Sequence, residues 1–199
     1  MIISHKFKFI FIKTMKTAGS SIELNYGRNL KGKDDIVSRS DEDHSIKQNF
    51  KGFFNPIPEI LDNSYDFRKT LSQFYHGQKF NMHQTGRVIY NRIPRNIWNS
   101  YYKFCVERNP YDKMFSMYWM NWGKNGMSRP GRSFEDWVRR GIRFPVNYHF
   151  YTWKDELIVD KVIRYENLDT ELKELYNELG VPFNSLQEKA KTFNKKRPD

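Results

Sequence analysis

Phe7-Lys8-Phe9-Ile10-Phe11-Ile12 begins in alternation and ends as a continuous apolar run, the pattern of a strand buried on both faces. The chain is expected to begin directly with this strand. A polar turn holding Lys16, Thr17, Ala18, Gly19, Ser20 and Ser21 follows, and Ser20-Ser21-Ile22-Glu23-Leu24 reads as the first turns of a helix. From about Gly27 to Asn55 the periodicity is lost among mixed charges, which predicts a long surface insertion. Val88, Ile89, Arg92 and Ile93 suit a short helix over Thr85–Ile93, stopped by Pro94. Tyr102 to Val106 is a second apolar strand, and Val159 to Tyr165 a third.

Three further helices carry their own boundary signals. Asn109 is a good N-cap and Pro110 a good first residue for a helix running to about Trp122. Ser133, with Asp136 three positions on, forms a capping box for a helix ending near Gly141. Asp169 to Leu179 is closed by Gly180, with Pro182 beyond. No internal repeat is visible. Strands separated by helices predict an α/β fold with a parallel sheet, in one domain over residues 1–199. Residues 27–75 form its long insertion, a lid or an acceptor-binding region.

Composition narrows the partner. Hydrophobic residues make up 38% and aromatics 17%, which excludes a disordered chain and gives a core enough material. The apolar run Phe9–Ile12 is too short for a membrane span or a secretory h-region. A single cysteine, Cys105, excludes an intrachain disulfide and is expected to be an inert buried thiol. Lys and Arg exceed Asp and Glu, 34 to 23, leaving a net charge of +11. Such an excess implies an anionic partner: nucleic acid, an acidic membrane surface, or a phosphorylated or sulfated small molecule.

Two constellations choose among these. The small residues of Lys13-Thr14-Met15-Lys16-Thr17-Ala18-Gly19-Ser20-Ser21, between strand and helix, expose backbone N–H groups at the positive end of a helix dipole. Lys16 and the hydroxyls of Thr17, Ser20 and Ser21 add donors. A Walker A loop needs a glycine ahead of the lysine, and Gly19 is the first glycine of the chain. The second constellation is Arg108-Asn109-Pro110-Tyr111-Asp112-Lys113-Met114-Phe115-Ser116. Arg108 stands at a strand's carboxyl end, where open α/β sheets bind ligands, and a guanidinium grips phosphate in bidentate fashion. Each constellation also has a plain structural account, an ordinary βα turn and a surface ion-pair partner.

Together the two resemble the sulfotransferases that use 3′-phosphoadenosine 5′-phosphosulfate (PAPS), in particular the carbohydrate branch. Lys16 to Ser21 matches that family's loop for the 5′-phosphosulfate, and Arg108 to Ser116 its 3′-phosphate motif. Val159 to Leu168, leading to Leu179-Gly180, is a third similar block. The resemblance implies a P-loop-like three-layer fold with a central, mostly parallel β-sheet flanked by helices. It implies that Lys13, Lys16, Thr17, Ala18, Gly19, Ser20 and Ser21 hold the phosphosulfate, and that Arg108 and Ser116 hold the 3′-phosphate. Lys16 would neutralise the leaving group. The base would be His83, before a helix and about two dozen residues ahead of Arg108, with His76, His44 and Glu23 as fallbacks.

The expected reaction is metal-independent in-line transfer of the sulfuryl group to a hydroxyl acceptor, a glycan or small sugar. Neither specific nucleic acid nor a membrane is an expected partner, and no metal site is visible. Two departures stand out. Glu107 takes a usually apolar place, which implies a less buried or locally ion-paired strand end. Members of the branch continue past the position of Asp199, so a closing segment is expected to be absent or shortened to Lys195-Lys196-Arg197. Without the anchor of the branch's Golgi members, a cytoplasmic enzyme of microbial or viral origin is expected. A P-loop-like nucleotide kinase and a basic nucleic-acid-binding module remain as the competing classes.

Overall fold

Alternation along Phe9-Ile10-Phe11-Ile12 sends Phe9 and Phe11 to one face of a sheet and Ile10 and Ile12 to the other, and all four are fully buried. The computed structural model describes residues 1–38, 46, 49–62, 66–120, 133–140, 144–183 and 185–186. In it these residues form β2 (Phe9–Ile12), preceded by β1 (Ile2–Ser4) and followed by α1 (Gly19–Asn29) and β3 (Ile36–Val37). Next come α2 (Ile57–Asp62), α3 (Phe67–Tyr75), α4 (Gly86–Arg92), α5 (Arg95–Ser100), β4 (Tyr102–Glu107) and α6 (Pro110–Tyr118). The order closes with α7 (Phe134–Arg139), α8 (Tyr148–Tyr151), β5 (Thr152–Trp153), β6 (Glu156–Leu157), β7 (Lys161–Arg164) and α9 (Leu168–Glu178).

The main sheet has the order β3-β1-β2-β4-β7, and β5 and β6 pair separately. β2 runs parallel to β4, and β4 to β7, while β1 pairs antiparallel with both β2 and β3. The fold is therefore α/β in three layers around a mixed sheet, a correction to the mostly parallel sheet expected. The antiparallel part comes from β1, which precedes the strand expected to open the chain. It was not legible because Ile2-Ile3-Ser4 is too short to show a period. Its return to β2 is built by a distant side chain: the buried Asp35 carboxylate accepts from the amides of His5, at 2.6 Å, and Lys6, at 3.0 Å.

One core joins α1 and α9 to the face carrying Phe9, Phe11, Phe104 and Ile163. The other packs α4, α5 and α8 against Ile10, Ile12 and Cys105. Cys105 is fully buried, and burial pushes its thiol well above the usual range.

Several boundary signals act as read. Asn109 Oδ1 accepts from Tyr111 N with Pro110 first in α6, and both halves of the Ser133–Asp136 capping box form. Gly180 lies at φ 67°, and Val181 N donates back to Tyr176 O at 2.7 Å, closing α9. The expected insertion is less open than its composition: α1 extends through Gly27, and Asp35, Val37, Ser38 and Ile46 are buried. The expected helix ends at Trp122 and Gly141, together with His44 and the tail from Lys195 to Arg197, lie outside the described residues.

Candidate functional site

Because β2 and β4 are parallel with Ile12 beside Cys105, their carboxyl ends open at the same edge of the sheet. β7 joins them, with Arg164 beside Glu107. The Lys13–Gly19 loop leaves the first of these ends, Arg108 the second, and Tyr165 the third.

The loop has an unusual backbone. Lys16 (φ 64°) and Ala18 (φ 61°) lie in the left-handed region, while Met15, Thr17 and Gly19 do not. Each left-handed non-glycine residue costs about 1–2 kcal/mol. Alternation of this kind turns successive N–H groups toward one side and makes an anion-binding concavity. It runs straight into α1, whose first helical bond is Ile22 N to Ala18 O at 3.1 Å, so the amides of the first turn have no acceptor within the helix. Ala18 is the N-cap residue and supplies no side-chain acceptor.

Buried side chains hold this strained shape. Thr14 Oγ1 donates to Val106 O on β4 and lies 2.8 Å from Thr17 Oγ1, which turns the fully buried Thr17 hydroxyl inward. Asn147, also buried, grips Met15 from both sides: its Oδ1 accepts from Met15 N and its Nδ2 donates to Met15 O, each at 3.0 Å. Lys13 is buried as well. Its Nζ donates to Glu23 Oε2 at 2.5 Å and to Ser20 Oγ at 3.1 Å, so its ammonium faces inward beneath the loop. Ser20, accepting from Lys13, keeps its own hydroxyl proton available to donate. Glu23 also takes Ser38 Oγ at 2.9 Å and the Met1 amino group. Gly19 makes room for Lys13, since a Cβ there would stand 2.6 Å from Lys13 Cγ.

Arg108 lies with its guanidinium carbon 4.1 Å from the Tyr165 ring centroid. Its Nε is buried and has no hydrogen-bond partner among the described residues. Ser116 is buried on α6. Glu107 is ion-paired, as one of its two expected explanations has it: Oε1 accepts from Lys113 Nζ at 2.6 Å, Arg108 N at 2.8 Å and Asn147 Nδ2 at 3.2 Å. Tyr151 OH donates to Oε2 at 3.3 Å. Glu166, just beyond β7, accepts from Asn109 N at 2.8 Å.

His83 Nδ1 lies 3.2 Å from Lys13 O. A carbonyl only accepts, so Nδ1 carries the proton and Nε2 presents a lone pair. The residue is exposed, yet burial of part of the ring and the nearby Lys13 ammonium push it from 6.5 down to about 4. Gly86 seats its segment: a Cβ there would meet Ile158 Cδ1 at 2.5 Å and Ile12 Cδ1 at 2.9 Å. The two fallback bases among the described residues are placed elsewhere. Glu23 is sealed under the loop, and exposed His76 binds its own helix at Ser72 O, at 2.7 Å.

Residue types and spacing did not single out Thr14 or Asn147. Asn147 is 132 positions from Met15, and nothing local to it announces that contact. Among the described residues no group of three or more His, Cys, Asp and Glu is placed to hold a metal ion, and no helix is long and apolar enough to cross a membrane.

No family model matches the chain, and no solved structure does. It is 30% identical over 99 residues to an uncharacterized protein of Archaeoglobus fulgidus, a match covering 48% of this chain and 81% of that one. The chain belongs to the same family as this archaeal protein.

Proposed function

We propose that the chain is a PAPS-dependent sulfotransferase with a P-loop-like nucleotide site, acting on a hydroxyl of a carbohydrate. One observation carries the proposal. At the carboxyl ends of two neighbouring parallel strands, an anion-suited backbone concavity stands beside a guanidinium whose buried Nε has no partner among the described residues. A nucleotide that is anionic at both its 5′ and its 3′ ends fits two such features. ATP, with no 3′-phosphate, leaves one of them idle.

In this proposal the loop amides, Lys16 and the hydroxyl of Ser20 receive the phosphosulfate, with Ser21 beside them. Thr17 contributes its backbone, because its hydroxyl is engaged with Thr14. Lys13 acts from below by orienting Ser20. Arg108 and Ser116 receive the 3′-phosphate. The co-substrate supplies an activated sulfuryl group. His83 Nε2 accepts the acceptor's hydroxyl proton as the acceptor oxygen bonds to sulfur, and the electron pair of the broken S–O bond leaves on the 5′-phosphate beside Lys16. Imidazole with a pKa near 4 is almost wholly unprotonated at neutral pH, ready to accept but only weakly basic.

The test is a thermal-shift comparison without magnesium, followed by a sulfate-transfer assay with sugar acceptors. 3′-Phosphoadenosine 5′-phosphate at about a hundred times its Kd raises the melting temperature by roughly 5 °C or more. ATP does so far less. Equal or stronger stabilisation by ATP with magnesium would favour a kinase. Steeply salt-dependent nucleic-acid binding without nucleotide competition would favour a nucleic-acid module.

A further inference from the structure

The hairpin formed by α2 and α3 is folded inside out. Its buried side chains are the polar Glu59, Thr70 and Gln73. They close on Arg92 of α4: Nε and Nη2 donate to the two oxygens of Glu59, Nη2 also to Gln73 Oε1 at 2.7 Å, and Nη1 to Lys79 O at 2.7 Å. Thr70 Oγ1 donates to Glu59 Oε2 at 3.2 Å, and the Phe54 ring covers the guanidinium at 3.8 Å. The outward side chains are Ile57, Leu61, Phe67, Leu71, Phe74 and Tyr75, all exposed, Leu61 by 83% and Tyr75 by 84%. Phe67, Leu71 and Phe74 stand at i, i+4 and i+7, one stripe of α3.

This orientation is locked. Rolling α3 to hide its apolar stripe would take Gln73 and Thr70 out of the cluster and strip partners from a buried guanidinium, which is strongly destabilising. The fold therefore holds an apolar surface toward solvent, and exposed patches of this kind mark interaction sites.

Charge selects the occupant. Exposed Lys51, Arg68 and Lys69 outnumber the outward carboxylates of the same stretch of chain, Asp62 and Asp66, and Asp62 is paired with Arg87 at 3.2 Å. A second copy would bring another +11 against the first, and like charge opposes that association. An anionic bilayer satisfies both halves of the surface, taking the apolar side chains at the headgroup boundary and the cations at the lipid phosphates. We propose that the α2–α3 hairpin docks this protein on an anionic lipid surface, with Leu61, Leu71, Phe74 and Tyr75 inserted and Lys51, Arg68 and Lys69 against the headgroups. At six and nine residues the two helices lie in the interface and do not span it. This proposal differs from the expectation of no membrane partner and does not depend on the sulfotransferase proposal.

Flotation of the full chain with phosphatidylcholine vesicles, and with vesicles containing phosphatidylglycerol, tests it. Binding is expected on the anionic vesicles only. The triple variant Leu61→Ser, Leu71→Ser, Tyr75→Ser, altered only at exposed positions, should keep the wild-type melting temperature and lose about tenfold or more in vesicle affinity. The pair Arg68→Glu, Lys69→Glu should lose it too. No flotation, equal flotation on neutral vesicles, or undiminished flotation of the triple variant would each overturn the proposal. So would dimerisation in sedimentation that the triple variant abolishes.

Discussion

Lys13 Nζ lies 2.5 Å from Glu23 Oε2, with both side chains withdrawn from solvent beneath the loop that joins β2 to α1. The pair crosses over Gly19 and leaves Ser20 oriented by the same ammonium. Removing one partner of a buried pair leaves a charge that water cannot reach. Glu23→Ala should therefore lower stability by about 3–5 kcal/mol, read as a lower urea midpoint at unchanged slope. A midpoint near wild type would show that the pair is not what holds the loop.

The two sides of the α1 entrance should respond oppositely. Ala18→Gly relieves about 1–2 kcal/mol of left-handed strain against about 0.4–1 kcal/mol of added unfolded-state entropy, so the melting temperature should rise slightly. Gly19→Ala drives a Cβ into the Lys13 stem and should cost about 1–3 kcal/mol. Nucleotide titration of both variants checks the concavity: the first retains affinity and the second loses it.

Asn147 grips Met15 through two hydrogen bonds and reaches Glu107 as well. Asn147→Ala should cost about 1–3 kcal/mol by leaving these buried groups unpaired. It should also weaken nucleotide binding, although no part of Asn147 belongs to the proposed contact set. Calorimetric titration of the variant, at a temperature where it remains folded, separates the two effects.

Arg108→Ala should lower affinity for 3′-phosphoadenosine 5′-phosphate about a hundredfold, the worth of two charge-assisted hydrogen bonds. Affinity for adenosine 5′-phosphosulfate, which lacks the 3′-phosphate, should hardly change. An equal loss for both ligands would move Arg108 to another role.

His83 sets a pH signature. Its folded-state pKa of about 4 lies below the ordinary 6.5, so the unfolded chain binds more protons between these values. Its contribution to stability is complete above about 6.5 and is lost as pH falls toward 4. The slope is moderated because the residue is also open to solvent. His83→Gln should flatten the melting temperature over this window. For turnover, kcat/KM should hold through neutral pH and fall only as Nε2 protonates near pH 4, and His83→Gln should abolish transfer while nucleotide binding persists.

Much of the site's outline was legible because its signals are local. A strand running into small residues and then a helix, or Asn-Pro after a strand, depends on backbone preferences within a few residues, and Asn109, Pro110 and the Ser133–Asp136 box act as those preferences require. Thr17 shows the limit. Its hydroxyl looked like a donor for an anion, but its partner Thr14 is held by Val106 O, 92 positions away from it. Lys13 looked like a second cation of the loop, and only the turn of α1 that brings Glu23 beneath it shows where its charge goes.

The amino-acid pattern by itself determined that β2, β4 and β7 are strands followed by α1, α6 and α9, because period and capping act over short range. Only the tertiary structure decided that the sheet is mixed, that Lys16 and Ala18 take left-handed backbone, and that α3 hides Thr70 and Gln73 while showing Phe67 and Leu71 to solvent. Each of these is imposed by a partner far away in the chain: Asp35 on the β1–β2 turn, Asn147 and Val106 on the loop, Arg92 on the hairpin. A buried polar group must find its counterpart wherever the fold brings it, and such pairings leave no periodic trace in sequence.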